Sequence, residues 1–432
     1  MKPIIYALLL AGAVSCGTTA DDTNNGTNNA TSGTTNNATN GTTNNATNGT
    51  TNNATNGTTN NATNGTTNNA TNGSTNNGTN NTNNAVGGWV PASSACAGSK
   101  TNALWFDDRN NGFAGCGEGA DGYGFFKTVD GGMTWTEVFD FESLRINDII
   151  RVDGTLYLAG IRNPGGGSAF KVADDNGTLS YTVMFTPSNN AFNSVSQAEN
   201  IAVQADGSVL VDSLTGASAT LVAANGDVTE TSTLHEDAIA DPDTTSSFQV
   251  RRVRPAATGF MGVGSTINQP AQFMAPSALA GATFHMHPVE LQESFESGEL
   301  LDFWSWGAQK MLLVGWNQTT NANRSPLMFR LDGTDSTVAA NWKEVNLRAQ
   351  GIEFEGGAYA LAVNGDKTVV VGTKFPSSQG GFVLHSVDAG TTWTDMTPGP
   401  DKPGELSNAW YFANGDIYVA GGGKKGFIYH AN

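Results

Sequence analysis

Basic residues are scarce in this chain of 432 residues. Lys and Arg number 21 against 39 Asp and Glu, which gives a formal net charge of −18 at pH 7. The basic side chains are also dispersed, whereas a protein that binds nucleic acid through charge needs a concentrated positive surface. The charge balance therefore predicts that no nucleic acid is among the partners.

The sequence also lacks the short motifs that bind common cofactors. No Gly-Lys-Ser/Thr phosphate loop is present, and the glycine clusters at 165–167 and 421–423 have no strand-to-helix setting. No zinc-binding motif and no serine nucleophile elbow occur either. We therefore expect no cofactor, no metal and no catalytic residue that the sequence identifies.

The longest apolar run near the start of the chain is too short to cross a membrane. It covers residues 4–11, follows a single cation at Lys2 and is followed by small residues before Cys16. This arrangement is typical of a secretory signal peptide, which we place at residues 1–15. The segment Ala13-Val14-Ser15-Cys16 resembles the lipobox of bacterial lipoproteins, which implies cleavage before Cys16 and a lipid anchor on its thiol. An ordinary cleaved signal with an incidental cysteine is the alternative.

The residues around the anchor bear on location and on the other two cysteines. Gly17 follows Cys16, so the Asp that retains some lipoproteins at the inner membrane is absent. We therefore expect an exported protein, lipid-anchored at the bacterial outer membrane or cell surface. Extracytoplasmic compartments permit disulfides, so Cys96 and Cys116 can pair, and two buried free thiols are the alternative.

Residues 16–86 consist almost entirely of Asn, Thr, Gly and Ala. The octapeptide TTNNATNG begins at Thr34 and repeats in tandem five times through Gly73. Such a segment has too few apolar side chains to offset the entropy of ordering the chain. Composition therefore predicts a disordered, low-complexity linker over 16–86.

Two copies of one eight-residue turn are the clearest motif in the rest of the chain, and both fit Ser/Thr-x-Asp-x-Gly-x-Thr-Trp. An Asp carboxylate can accept hydrogen bonds from turn amides, Gly permits positive φ, and Thr and Trp favour the start of a strand. The motif therefore predicts a β-hairpin turn. Its positions are Thr128, Asp130, Gly132, Thr134 and Trp135 in the first copy and Ser386, Asp388, Gly390, Thr392 and Trp393 in the second.

This motif resembles the Asp-box, or bacterial neuraminidase repeat (BNR), of sialidases, sortilin-type receptors and photosystem II assembly-factor-like proteins. The resemblance implies an all-β fold, a β-propeller in which the box lies at the periphery of a blade. It also implies a structural role for the box residues, since in the family they lie away from any active site.

Short apolar runs separated by Gly, Asn and Asp continue through 87–432, which indicates a domain of repeated strands and turns. The boxes begin at residues 128 and 386, and five steps between them are about 52 residues each, close to a propeller period. We expect seven four-stranded blades. The C-terminal blade is one strand short, and the segment containing Trp89 is predicted to supply that strand and close the ring.

Arginine and tryptophan side chains are the candidates for contacts with a ligand. Arg151 and Arg251 lie on predicted innermost strands, and Trp304, Trp306 and Trp410 lie on or beside such strands near the expected channel mouth. Packing between blades is the alternative role for the tryptophans.

Together these features favour a non-catalytic propeller that binds a protein or glycan at the cell envelope. We expect a monomer, held at the membrane by its lipid anchor, whose partner is an envelope protein or a glycan. An exo-glycosidase of the sialidase type is the alternative. The chain departs from the sialidase pattern, because Leu144-Arg145-Ile146-Asn147 lacks the aromatic residue and the proline of the corresponding family segment.

Overall fold

Two compact units, Met1–Val90 and Pro91–Asn432, make up the chain in a computed structural model. The structure describes residues 19–22, 27–30, 33–39, 43–47, 49–55, 59–63, 67–71, 75–79, 88–96, 99–118, 121–139, 144–162, 166–175, 178–185, 198–204, 207–213, 218–222, 228–233, 248–256, 259–266, 269–275, 283–286, 297–307, 309–320, 323–333, 341–398, 403–422 and 425–430. Within those ranges no helix is long and apolar enough to cross a membrane.

Strands dominate the described residues, with two short 3-10 turns at Arg348–Gln350 and Ser377–Gln379. The strands of the first unit are β1 (Thr19–Asp22), β2 (Thr27–Ala30), β3 (Gly33–Thr39), β4 (Thr43–Thr47), β5 (Gly49–Thr55), β6 (Thr59–Thr63), β7 (Thr67–Thr71) and β8 (Thr75–Thr79). The remaining strands are β9 (Trp89–Ser93), β10 (Thr101–Phe106), β11 (Gly112–Glu118), β12 (Asp121–Thr128), β13 (Thr136–Phe139), β14 (Leu144–Val152), β15 (Thr155–Arg162), β16 (Gly166–Asp175), β17 (Thr178–Phe185), β18 (Ala198–Val203), β19 (Val209–Ser213), β20 (Ser218–Val222), β21 (Val228–Thr233), β22 (Phe248–Ala256), β23 (Gly259–Thr266), β24 (Gln269–Ala275), β25 (Thr283–Met286), β26 (Ser297–Ser305), β27 (Met311–Thr320), β28 (Asn323–Leu331), β29 (Trp342–Glu344), β30 (Gly356–Asn364), β31 (Lys367–Lys374), β32 (Gly381–Ser386), β33 (Thr394–Asp395), β34 (Leu406–Tyr411), β35 (Ile417–Gly421) and β36 (Lys425–Tyr429).

Seven four-stranded sheets form a β-propeller, and each sheet is one blade. Blades 1 to 6 are β10–β13, β14–β17, β18–β21, β22–β25, β26–β29 and β30–β33, each with its strands in sequence order. Blade 7 contains β34, β35 and β36, and β9 is its fourth strand. The predictions of seven blades and of closure by an N-terminal strand are confirmed.

Strand β31 shows why the middle strands of the blades are apolar over several consecutive residues. All positions from 368 to 373 are buried, including Val369, Val370 and Val371. Successive side chains of a strand point to opposite faces, so a strand buried at every position packs on both faces. In a propeller the neighbouring blades provide those two faces.

Apolar clusters fill the space between consecutive blades. Leu312 and Val314 of blade 5, for example, share a cluster with Val370 and Phe382 of blade 6. Comparable clusters join blades 7 and 1, 1 and 2, 2 and 3, and 4 and 5. The core is therefore a ring of interfaces between blades, and the blades stand around a central axis.

The two repeated turns join the third and fourth strands of blades 1 and 6 with matching hydrogen bonds. In the first, Thr128 Oγ1 donates to Asp130 Oδ1 at 2.8 Å, and the amide and hydroxyl of Thr134 donate to the same carboxylate at 2.9 and 2.6 Å. In the second, the amide and hydroxyl of Thr392 donate to Asp388 at 2.8 and 2.7 Å. The Asp carboxylate thus organises each turn.

The end of β9 and the segment after it are tied to the rest of the propeller by polar contacts and a covalent bond. The Ser93 carbonyl accepts hydrogen bonds from the Tyr418 hydroxyl at 3.1 Å and from Trp135 Nε1 at 3.2 Å. Cys96 and Cys116 form a disulfide with a Cα–Cα distance of 5.4 Å, linking the segment after β9 to β11.

The first unit contains two parallel sheets, β1-β3-β5-β7 and β2-β4-β6-β8. Their register follows the sequence repeat, since Thr35 lies beside Thr51 and Asn36 beside Asn52, two octapeptides further along the chain. The disorder that composition predicts for 16–86 stays a prediction, which hydrogen exchange in solution can test.

Candidate functional site

All seven inner strands have a break in register with the second strand of their blade. In β14, for example, pairing passes from Ile146 to Asp148, which leaves Asn147 as an extra residue. Such a bulge changes the direction in which the following side chains point. The first paired residues after the break are Ala103, Asp148, Ile201, Arg252, Asp302, Ala360 and Asn408.

A cavity of about 500 Å³ lies at the axis and is lined by residues of all seven inner strands. Its charged lining comes from Asp148, Arg151, Arg252, Arg254 and Asp302. These are two carboxylates and three guanidinium groups in a chain whose net charge is −18. The cavity is therefore locally more basic than the protein as a whole.

Arg252 lies between the two carboxylates at the level of the breaks. Its Nη1 is 3.1 Å from Asp148 Oδ1 of blade 2, and its Nε is 3.5 Å from Asp302 Oδ1 of blade 5. Arg254 Nη2 is 2.8 Å from the same oxygen of Asp302. Because Arg252 belongs to blade 4, these ion pairs connect three blades across the axis.

Asp148 and Asp302 also bind the backbone of the next blade around the ring. Asp148 Oδ2 accepts from the Ile201 amide at 3.1 Å, and Asp302 Oδ2 accepts from the Leu361 amide at 3.0 Å. Burial raises the pKa of the Asp148 carboxyl, and the nearby Arg252 and Arg254 only partly oppose that effect. The carboxylates therefore hold neighbouring blades together and at the same time position the arginines.

Three tryptophans form a second level of the cavity. Each lies two residues after the first residue that pairs again beyond the break in its strand. Trp105 of blade 1 and Trp410 of blade 7 meet edge to face with ring centroids 5.1 Å apart. The guanidinium carbon of Arg254, at the same level in blade 4, is 5.5 Å from the ring centroid of Trp304 in blade 5. All three indoles are half-buried, so part of each ring faces the cavity.

The indole N–H groups differ in their partners. Trp105 Nε1 donates to Asp107 Oδ1 at 2.9 Å. In the described part of the chain, no acceptor pairs with the N–H of Trp304 or of Trp410. These two rings can therefore offer both an apolar face and a hydrogen-bond donor to a ligand.

The structure separates the residues that sequence analysis grouped as ligand contacts. Arg151, Trp304 and Trp410 line the cavity, whereas Arg251 and Trp306 do not. Arg251 is the extra residue at the break in β22 and forms an ion pair with Glu299. Trp306 Nε1 donates to the Gly365 carbonyl at 2.7 Å.

Sequence reasoning missed every charged residue of the cavity except Arg151, namely Asp148, Arg252, Arg254 and Asp302, and it also missed Trp105. The run Arg251-Arg252-Val253-Arg254 was the available signal, but the break in β22 decides which of its arginines face the axis.

None of the repeated-turn residues lines the cavity. Over the described ranges, no group of His, Cys, Asp and Glu is arranged to hold a metal ion. Cys16 lies outside the described residues.

Comparison with known proteins gives the class of fold. No protein-family profile matches the chain, and no curated protein sequence matches it. Among solved structures, YCF48 bound to D1 peptide has 16% sequence identity, a TM-score of 0.53, and coverage of 80% of this chain and 97% of that chain. YCF48 from Cyanidioschyzon merolae has 13% identity, a TM-score of 0.53, and coverage of 79% and 98%.

A third similar structure, virginiamycin B lyase from Staphylococcus aureus, has 11% identity, a TM-score of 0.52, and coverage of 79% of this chain and 98% of that chain. At these identities the likeness concerns fold alone. The chain is a β-propeller protein with an aromatic and cationic cavity at its axis.

Proposed function

We propose that this protein is a lipid-anchored component of the bacterial cell envelope whose propeller binds a protein segment or a glycan in the axial cavity. The observation that carries the proposal is the level of three half-buried tryptophans around a cavity of about 500 Å³. A cavity of this size with aromatic walls and a few polar groups is typical of ligand sites. The complex of YCF48 with D1 peptide supports it, as an example of a peptide bound to a similar fold.

Trp304 provides the direct test, because Trp306 two residues away is a matched control outside the cavity. The full chain is screened against a glycan array and used for cross-linking and pull-down from envelope fractions. Trp304→Ala is expected to weaken capture of the ligand about tenfold or more, as for a buried aromatic contact. Trp306→Ala should leave capture unchanged. Equal loss in both variants, or no ligand at all, contradicts the proposal.

The anchor is tested separately from the cavity. In bacterial cells, Cys16→Ser is expected to abolish incorporation of a labelled fatty acid. Incorporation that survives the substitution contradicts lipid anchoring at Cys16. Fractionation of the wild-type protein, with separation of inner and outer membranes, tests the expected location.

A sialidase-type glycosidase remains a second candidate because Arg151, Arg252 and Arg254 all line the cavity. Each of them already faces a carboxylate, with Arg151 Nε 3.1 Å from Asp107 Oδ1, which leaves less of their charge for a sugar carboxylate. Tyr411 also lines the cavity, but burial raises the pKa of its hydroxyl to about 12, which opposes a role as nucleophile. These contacts favour binding over catalysis.

The two functions are distinguished by an assay of the full chain on fluorogenic sialosides and a small panel of other glycosides. We expect no turnover at high protein concentration. Turnover that Arg254→Ala abolishes and Arg348→Ala leaves unchanged would establish the glycosidase instead, because Arg348 lies outside the cavity.

A further inference from the structure

A second concave surface lies between blades 5 and 6. This groove has a volume of about 550 Å³, and none of the described residues lines both it and the axial cavity. One wall is the connection from β29 to β30, and Ser325 and Pro326 of β28 lie on the other side. The groove is thus separate from the site to which the proposed function is assigned.

Residues 352–355 of that connection belong to no strand. Ile352 and Phe354 are half-buried and pack against the cluster between blades 5 and 6, whereas Glu353 and Glu355 are exposed. This alternation is that of a β-strand with one face on a core. Among the described residues no group accepts a hydrogen bond from the amides of 353–355, although the Glu355 carbonyl accepts from the Phe375 amide at 2.9 Å. The segment therefore resembles a sheet edge that is unpaired except at Glu355.

The charges around the groove are mostly negative. Among the described residues, Glu344, Glu353 and Glu355 line it together with the cation Arg348. A second cation, Lys374, has its Nζ 4.8 Å from the ring centroid of the lining residue Phe354 and 3.9 Å from Asp395 Oδ2. Arg348 Nε is 3.3 Å from Glu353 Oε1, and their side chains are 81% and 64% exposed, so this ion pair contributes little and can exchange with another. Within the described ranges no Lys or Arg nitrogen lies within 4 Å of the Glu344 or Glu355 carboxylate. Apolar side chains line the floor beneath these carboxylates.

We propose that this groove binds an extended, positively charged peptide segment, which adds as a strand beside residues 352–355. Free backbone amides along an extended segment allow a peptide to pair by main-chain hydrogen bonds, and the alternation of side chains selects its sequence. Cationic side chains spaced two residues apart would lie opposite Glu353 and Glu355, and the apolar side chains between them would face the groove. The occupant is therefore a segment in which Lys or Arg alternates with apolar residues.

The probe is a capped, fluorescein-labelled heptapeptide in which Lys and Val alternate, titrated with the full chain at low salt by fluorescence anisotropy. Glu353→Gln combined with Glu355→Gln is expected to weaken binding about tenfold, since two opposite-charge pairs across strands are lost. Glu137→Gln combined with Asp174→Asn removes the same charge from exposed positions on blades 1 and 2 and should change binding less than about twofold. Unchanged thermal unfolding confirms that both double variants fold.

Two further peptides separate strand addition from charge alone. An N-methylated form of the Lys–Val peptide cannot donate main-chain hydrogen bonds and should bind about tenfold more weakly or worse. A Glu–Val peptide should not bind. Four results would each overturn the proposal. The two double variants could weaken binding equally, or the N-methylated or Glu–Val peptide could bind as well as the Lys–Val peptide. The Lys–Val peptide could fail to bind, or a dimer of the chain could exclude it. Trp304→Ala should leave this binding unchanged, so failure here is distinguishable from failure of the axial site.

Discussion

Gly132 and Gly390 occupy the same position in the two repeated turns and have similar backbone angles, with φ of 90° and 80°. Their surroundings differ. A Cβ at 132 would overlap the buried ring of Tyr418, whereas a Cβ at 390 would lie 3.3 Å from Leu312 Cδ1. The motif explains why both positions favour glycine, but only the packing shows that one of them has no room for any side chain.

Gly132→Ala is therefore expected to lower the free energy of unfolding by about 2–4 kcal/mol, and Gly390→Ala by about 1–2 kcal/mol. Both changes force alanine into positive φ, but only the first also displaces Tyr418. Urea denaturation of the two variants measures the difference. Equal costs would mean that backbone conformation alone determines the preference for glycine.

Asp130 illustrates how the same turn responds to pH. Burial opposes its ionisation, but hydrogen bonds from Thr134 and Thr128 outweigh that effect and lower the pKa of the carboxyl in the folded protein. A carboxyl whose pKa is lowered by folding stabilises the folded state above its unfolded pKa of about 3.9. That contribution is lost as the pH falls through the lower, folded value.

Asp130→Asn should consequently destabilise the protein by about 1 kcal/mol at pH 7, because the amide nitrogen cannot accept the Thr134 hydroxyl. The difference from wild type should shrink as the pH falls below about 4. Thermal unfolding at several pH values tests this, with Glu137→Gln on the adjacent strand as the control that should stay near wild type. A difference that is independent of pH would show that charge is not responsible.

At the level of strands, sequence patterns located the blades well. The five steps of about 52 residues predicted between the two boxes agree with the structure, in which the boxes lie in blades 1 and 6. What the patterns did not contain was the break in each inner strand, which requires knowing the partner residue across the ladder. That break explains why Arg252 and Arg254 line the cavity and Arg251 does not.

The disulfide joins two elements of the fold, because it connects the segment after the closing strand β9 to β11 of blade 1. Its two cysteines are 20 residues apart, and a crosslink of that span stabilises the folded state by about 3 kcal/mol. Cys96→Ala combined with Cys116→Ala, or reduction of wild type, should lower the stability by about that amount. Reductant should not destabilise the double variant further, and a wild type insensitive to reductant would contradict the expectation.

The whole molecule combines a closed ring with a repetitive N-terminal unit, and the two depend on sequence in different ways. In the ring, stability comes from apolar interfaces between blades, which need residues far apart in sequence. In the repeat tract, each strand pairs with a nearly identical strand two octapeptides away. Order in the tract therefore depends on its strands pairing in that register.

Hydrogen exchange of the full chain distinguishes the two descriptions of the tract. If β3–β8 pair as in the structure, their amides should exchange at least about a hundredfold more slowly than an unstructured chain. If the tract is disordered, as its composition predicts, exchange of its amides should be complete within seconds at neutral pH, while the amides of β31 remain protected. The inner and middle strands of the propeller serve as the internal control.

The sequence by itself determined the class of fold, the number of blades and the closing strand. The evidence was the resemblance of the repeated turn to the Asp-box, the spacing of its two copies, and the short apolar runs separated by Gly, Asn and Asp. Only the tertiary structure decided which residues form the axial site. Asp148, Arg252 and Asp302 belong to blades 2, 4 and 5, and they meet because seven inner strands converge with breaks at equivalent positions. Contacts between such distant residues arise from the closure of the ring, which no local pattern encodes.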